Sequence, residues 1–350
     1  EKYDTVLAFI GLTDYVESEG CDRENMRLPE NQLALIDAFI KTGKKIVVVL
    51  YGGSPVELPF ADKVNAILNM YLPGQCGGEA TRKLLFGEKN PCGKLSETWV
   101  KSYSDVPYGE IFSKTQIEVY KESVFVGYRY YQNVKKQVAF PFGFGLSYTT
   151  FGYSDIKIEE NDANIIIKAT ITNTGSRFGS EIVELYVKAP KTDVYKPEKE
   201  LRGFTKVYLE AGESKEVKIA INKADLVYFN AKEKRYVTES GDYEFQLCSD
   251  CETVKLSETV TITGENVSSP YGKDIFDIYE KSPDKVSDEA FEKMSGLKIP
   301  VLPPKRPITL ESRFTDLRKT FMGRILYNAV LSVAKKDMKK ALKLPEGAER

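Results

Sequence analysis

Val6-Leu7-Ala8-Phe9-Ile10-Gly11 is an unbroken apolar run closed by a glycine. Such a run predicts a strand buried on both faces, the kind that parallel sheets use beneath covering helices. Working outward, Pro29 stands where a helix can begin, because its missing N–H is not needed in a first turn. Leu33, Ile36, Ala38, Phe39 and Ile40 follow at helical spacing, and Gly43 closes the helix. Ile46 to Leu50 reads as a second buried strand that ends at Tyr51-Gly52-Gly53. Ala66 to Leu72 reads as a third, and Gly77-Gly78-Glu79-Ala80 opens a helix carrying Leu84, Leu85 and Phe86. Strands alternating with helices in this order imply a parallel sheet with its functional loops at the carboxyl ends of the strands.

From about residue 151 the period changes from helical to alternating. Ile156 and Ile158 are followed by Ile165, Ile167, Ala169 and Ile171, then by Val183, Leu185 and Val187. Val217, Ile219 and Ile221 repeat the pattern, as do Tyr243, Phe245 and Leu247. Asn173-Thr174-Gly175, Ala211-Gly212-Glu213 and Ser240-Gly241-Asp242 supply the turns. The expected fold class is therefore α/β plus all-β: a partial α/β sandwich with a parallel sheet, then a fibronectin type III-like β-sandwich and a C-terminal helical tail. The expected boundaries are 1–123 for the α/β domain and 124–150 for an aromatic, Gly-rich connector. The β-sandwich takes 151–264, a polar linker with one short helix takes 265–310, and an amphipathic helix takes 311–350.

Composition narrows the chemistry. The chain has 350 residues, 50 Lys and Arg against 51 Asp and Glu, and no His. The near-zero charge gives no general attraction to nucleic acid or to an anionic membrane, and neither is expected as a partner. Without His, no Ser-His-Asp triad, Cys-His dyad or His-ligated metal can form within this chain. Five cysteines at wide spacing are not a disulfide framework, and Cys248-Ser249-Asp250-Cys251 is a lone CxxC without a second ligand pair. No metal or cofactor is expected, and the thiols lean towards a cytoplasmic setting. The chain opens at Glu1 close to a strand, which reads as a piece cut from a longer polypeptide. Residues Phe314, Leu317, Phe321, Ile325, Val330 and Val333 mark a helical face in a basic tail, with eleven basic and five acidic residues from Arg306 to Arg350. Packing on its own protein or a partner is the favoured reading of that face, ahead of membrane attachment.

The chemistry-bearing candidate is Glu17-Ser18-Glu19-Gly20-Cys21-Asp22-Arg23, a loop soon after the first strand. Carboxylates close together on a loop resist ionising at once, and a carboxyl protonated near neutral pH serves as a general acid. Gly20 permits backbone geometry that other residues resist, and Asp22 with Arg23 offers an ion pair or a hydroxyl-binding pair. Acidic surface loops are common, so the cluster alone decides little. Tyr128-Arg129-Tyr130-Tyr131 reads as interdomain packing ahead of a sugar platform, and Trp99, in a strand-like run from Leu95 to Val100, reads as core. Gly52-Gly53 and Gly77-Gly78 lack the Lys-Ser/Thr of a phosphate loop.

Several longer strings resemble glycoside hydrolase family 3, in order along the chain. Ser18-Glu19-Gly20-Cys21-Asp22-Arg23, with Leu28-Pro29 and Gln32, resembles its acid/base loop. Gly77-Gly78-Glu79-Ala80, Leu85-Phe86-Gly87 and Asn90-Pro91-Cys92-Gly93-Lys94-Leu95 resemble its GGEA, LFG and NPSGKL motifs. Gly127-Tyr128-Arg129-Tyr130-Tyr131 resembles GYRYY, and Phe140 to Phe151 resembles its FPFGYGLSYTTF hinge. Thr172 to Ser176, Glu200-Leu201-Arg202-Gly203-Phe204 and Leu209 to Glu213 resemble its fibronectin-like domain, so the likeness covers about residues 3 to 263.

The resemblance implies a retaining, exo-acting β-glycosidase, chiefly a β-glucosidase, with a β-glucoside or oligosaccharide as substrate. It implies Glu19 as general acid/base, with Glu17 as runner-up on the same loop; the residues themselves offer Asp22 and Arg23 as substrate-binding candidates. It places the nucleophilic Asp in a TIM-like barrel that this sequence does not contain, so the 350-residue chain by itself is expected to be inert. A β-xylosidase specificity and a non-catalytic carbohydrate-binding module are the alternatives left open.

Overall fold

The computed structural model describes residues 3–20, 22–112, 117–301, 312 and 314–341. The first unit is a three-stranded sheet of β1 (Thr5–Gly11), β2 (Lys45–Tyr51) and β3 (Ala66–Asn69), parallel throughout and in that order. Helix α1 (Glu30–Ile40) begins immediately after Pro29. The turn that ends it contains Gly43 at φ +69°, a conformation in which a Cβ is costly. Helix α2 (Gly77–Leu85) starts at the expected glycine pair.

Ile46, Val48, Val49 and Leu50 on the central strand β2 are at most 2 % exposed, as the sequence predicts. β1 departs from its expectation. It pairs on one side only, and Leu7 (45 %) and Phe9 (57 %) point to solvent while Ala8 and Ile10 are buried. An edge strand uncovered on one face alternates instead of burying every residue. β3 is also shorter than expected: Tyr71 has φ +49° and Pro73 has no N–H, so the ladder cannot continue to Leu72. The Leu95–Val100 run forms no strand, only an isolated antiparallel bridge between Trp99 and Phe140.

The second unit is a sandwich. One sheet has the order β12-β11-β6-β7, and the other has β4-β5-β8. In chain order these are β4 (Phe151–Glu160), β5 (Asn164–Asn173), β6 (Gly179–Lys188), β7 (Glu200–Leu209) and β8 (Ser214–Asn222). A hairpin of β9 (Tyr228–Asn230) and β10 (Arg235–Val237) follows, then β11 (Gly241–Cys248) and β12 (Val254–Ile262). Ile165, Ile167, Ala169 and Ile171 face Val183, Leu185, Phe245 and Leu247 in one core. At about 1.5–3 kcal/mol for each large apolar side chain, this core drives the folding of the sandwich.

β6 breaks its own alternation for an identifiable reason. Tyr186 on its outer face is fully buried and Glu184 is 4 % exposed, because the connector lies over them. Helix α3 (Tyr128–Asn133) opens that connector. Tyr128 packs on Tyr186 with ring centroids 5.7 Å apart and on Phe142 at 5.3 Å. Cys248 and Cys251 belong to the same small cluster, so the CxxC is packing. Cys76, Cys92, Cys248 and Cys251 are free thiols, and Cys21 lies outside the described residues. Tyr130 and Tyr131 are buried, in keeping with the packing reading of that motif, and Trp99 is 2 % exposed.

The stretch expected as a linker is a docked part of the fold as far as Met294; Leu297 and Val301 beyond it are exposed, and residues 302–310 lie outside the described residues. It forms two helices, α4 (Lys273–Lys281) and α5 (Asp288–Ser295), where one was expected. Ile275 and Tyr279 are buried against Phe125, Tyr130, Tyr131 and Tyr195. The polar residues of this segment mask a narrow apolar stripe, which is why composition alone suggested a linker. In the tail, residues 314–319 form a 3₁₀ turn and α6 (Phe321–Ala341) is a continuous helix. Tyr327 packs on Phe314 of the preceding turn with ring centroids 5.5 Å apart, but Phe321 (76 %), Ile325 (53 %) and Val333 (61 %) remain exposed, so the rest of the apolar face of α6 is largely uncovered by the described residues. Among the described residues no helix is long and apolar enough to cross a membrane.

Candidate active site

The carboxyl ends of the three parallel strands release three loops side by side. The loop after β1 carries Glu17 and Glu19, the loop after β2 carries Gly52, Gly53 and Ser54, and the loop after β3 carries Tyr71 and Leu72. The start of α1 is pinned to the end of β1 by Gln32, whose side chain accepts from the Gly11 N–H at 2.9 Å and donates to the Gly11 carbonyl at 2.9 Å. Gly11 is required there, since a Cβ would fall 2.1 Å from the Tyr51 carbonyl oxygen.

Glu17 is committed to architecture. Its Oε2 accepts from the Gly53 N–H at 2.7 Å, and its Oε1 accepts from the Ser54 hydroxyl at 2.6 Å. These bonds tie the β1 loop to the β2 loop. Two residues further on, Glu19 lies at the exposed tip beside Gly20, which turns the chain at φ +76°. The Glu19 carboxylate makes no hydrogen bond or ion pair with any described residue. Beyond the tip the chain is fastened again. Arg23 Nη2 donates to the Pro55 carbonyl at 3.0 Å, and its Nη1 is buried without a partner among the described residues. The two ends of the loop are thus anchored and its middle presents Glu19 outward.

Asp22 and Arg23 border a cavity of about 430 Å³ whose other walls include Met26, Tyr103, Tyr108 and Phe112. That places both residues within one chain turn of Glu19, beside a partly aromatic hollow. Among the described residues no group of His, Cys, Asp and Glu is arranged to hold a metal ion.

Glu97 is a residue that motif reading passed over. Burial pushes its carboxyl above the ordinary range, opposed by a hydrogen bond from Tyr71 and by the nearby charge of Arg23. Tyr71 Oη donates to it at 3.5 Å. Thr98 Oγ1 and Trp99 Nε1, next to it in sequence, and Asn69 Nδ2, two positions before Tyr71, are buried with no hydrogen-bond partner among the described residues. Its sequence signal is faint: one acidic residue two positions before the only Trp.

Comparisons with known proteins bear on the family and the fold. The glycosyl hydrolase family 3 C-terminal domain model matches residues 1–148, and a fibronectin type III-like domain model matches residues 181–251. Thermostable beta-glucosidase B of Acetivibrio thermocellus is 44 % identical over 264 residues, which are 74 % of this chain and 35 % of that protein. An exo-alpha-(1->6)-L-arabinopyranosidase of Bifidobacterium breve is 37 % identical over 270 residues, 76 % of this chain and 36 % of that protein. The solved structure of beta-glucosidase from Kluyveromyces marxianus in complex with glucose superposes with a TM-score of 0.73 at 37 % identity, covering 75 % of this chain and 32 % of that one. The chain spans about a third of the length of the curated relatives it matches.

Proposed function

The chain belongs to glycosyl hydrolase family 3 through the C-terminal domain it carries, and from that premise we propose that it supplies the acid/base part of a retaining β-glycosidase. The observation that carries the proposal is the division of labour in the β1 loop. Glu17 is held by Gly53 and Ser54, and Glu19 is exposed at the tip.

In this reading the nucleophilic carboxylate comes from the family's barrel, roughly 5 Å from Glu19 across the scissile bond. Glu19 donates its proton to the glycosidic oxygen as the C–O bond breaks and the nucleophile takes the anomeric carbon. The Glu19 carboxylate then removes a proton from water, whose oxygen displaces the enzyme carboxylate. Arg23, with Asp22, lies where it can orient a substrate hydroxyl. The preferred substrate is a terminal β-glucoside. The arabinopyranosidase relative is a reminder that sugar identity varies among similar chains, and the barrel is the proposed source of that selectivity.

The test is a Glu19→Gln substitution in the complete polypeptide. Rates on an aryl β-glucoside with a poor leaving group are expected to fall by about 10²–10⁴, with a much smaller loss for an activated leaving group that needs no proton. Equal losses for both leaving groups, or no loss, would remove Glu19 from the role. The isolated 350-residue chain is expected to give no turnover, and turnover abolished by Glu19→Gln would overturn that expectation.

A further inference from the structure

We propose that the cavity between the β6–β7 loop of the sandwich and the C-terminal segment is a second carbohydrate site, taking a neutral pyranose or disaccharide. The cavity measures about 390 Å³, within the usual range of small-ligand pockets, about 300–1,000 Å³. It shares no lining residue with the Glu19 loop, and the proposal does not rest on the role of Glu19.

The argument begins with a backbone irregularity. Leu185 pairs with Gly203 and Tyr186 pairs with Leu201, which leaves Arg202 as the extra residue of a bulge in β7. Bulges turn a side chain away from its regular position and recur beside functional sites. Here Arg202 lines the cavity. Its Nη2 donates to Glu200 Oε2 at 2.6 Å, while its Nε is buried and has no acceptor among the described residues. The Nε itself is screened from solvent, so a ligand in the cavity meets Arg202 through the rest of its side chain. The Glu200-Leu201-Arg202-Gly203 string has no part in the acid/base chemistry, so the bulge has a use still to be assigned.

The lining also selects the ligand class. Its charges are already paired: Lys196 bonds Glu239, and Arg202 bonds Glu200. Two cations against two anions give no net field to draw an ion into the cavity. What remains is a set of donors and acceptors beside aromatic walls, Tyr228, Tyr243 and Tyr271 among them. A pyranose matches this, with hydroxyls that both donate and accept and ring faces of C–H groups that lie against aromatic carbon.

The experiment titrates the 350-residue chain with glucose, cellobiose and glucuronate. It is read by calorimetry and by the NMR signal of the Arg202 Nε–H, assigned by its loss in Arg202→Lys. Glucose or cellobiose is expected to shift that signal. Arg202→Met and Tyr228→Ala are each expected to weaken binding by about tenfold or more. If Arg202→Met does not fold, Tyr228→Ala and the Nε signal of the unaltered chain still decide. No shift with either neutral sugar overturns the site, and tighter binding of glucuronate than of glucose overturns the assigned ligand class.

Discussion

Gly143 of the connector lies directly against the carboxylate of Glu184 in the sandwich: a Cβ on residue 143 would fall 2.5 Å from both carboxylate oxygens. Gly143 also has φ +81°, so the position is closed to other residues twice over. Gly143→Ala is expected to lower stability by roughly 3 kcal/mol, about 1–2 from the left-handed backbone and the rest from the collision. Gly43→Ala is the control. Gly43 has φ +69° but nothing within 4 Å of an added Cβ, so chemical denaturation should show only the smaller backbone loss.

The same carboxylate makes stability depend on pH. Burial pushes Glu184 up to about 7, opposed by the hydrogen bond from Tyr186 and the charge of Lys94, and reinforced by Asp250 and Glu181. Between the ordinary value of 4.5 and about 7 the native state keeps a proton that the unfolded chain has lost. This contribution is therefore fully present below pH 4.5 and is lost as pH rises towards 7, by on the order of 3 kcal/mol. Urea titrations across that interval should show the decline in the unaltered chain, and Glu184→Gln should flatten it.

The two glutamates of the β1 loop should separate cleanly when stability is measured. Glu17→Ala leaves the Gly53 N–H and the Ser54 hydroxyl without their acceptor and is expected to cost about 1–3 kcal/mol. Glu19→Gln changes an exposed side chain and is expected to leave stability within about 0.5 kcal/mol. Thermal melts of the two variants check this, and a large loss for Glu19→Gln would count against its place at a free tip.

Tyr279 tests whether the segment after the sandwich belongs to the fold. Its ring stacks on Tyr195 with centroids 4.5 Å apart, and the side chain is fully buried. Tyr279→Ala is expected to cost about 3–5 kcal/mol, the usual penalty for emptying a large aromatic site. A denaturation midpoint unchanged from that of the unaltered chain would return the segment to the status of a linker.

What the sequence discloses and what it hides follow the range of the interactions. Ile165 to Ile171 and the Gly77–Leu85 helix are local patterns, and a period of two or of 3.6 is enough to read them. Glu19 was legible only because a short string around it resembles a family motif, and the clasp that frees it was not. Glu17 meets Gly53 across 36 positions, a contact that no local pattern encodes. Tyr186 defeats the alternation of β6 because its cover, Tyr128 and Phe142, comes from a different part of the chain. Arg202 is hidden for the opposite reason, since a bulge is one residue too many and a regular pattern simply runs through it. Leu7 and Phe9 escape a sequence reading because apolarity announces a wish for cover without saying whether a neighbour provides it.

The connector's place over β6 bears on how this region can be divided. Excising the sandwich at residue 151 would strip the roof from Tyr186 and bring the Glu184 carboxyl into water, while Tyr128 and Phe142 on the other piece would lose their floor. A protease or an evolutionary recombination event that respects the visible sequence boundary would therefore cut through a shared wall, and the two modules are built to travel together.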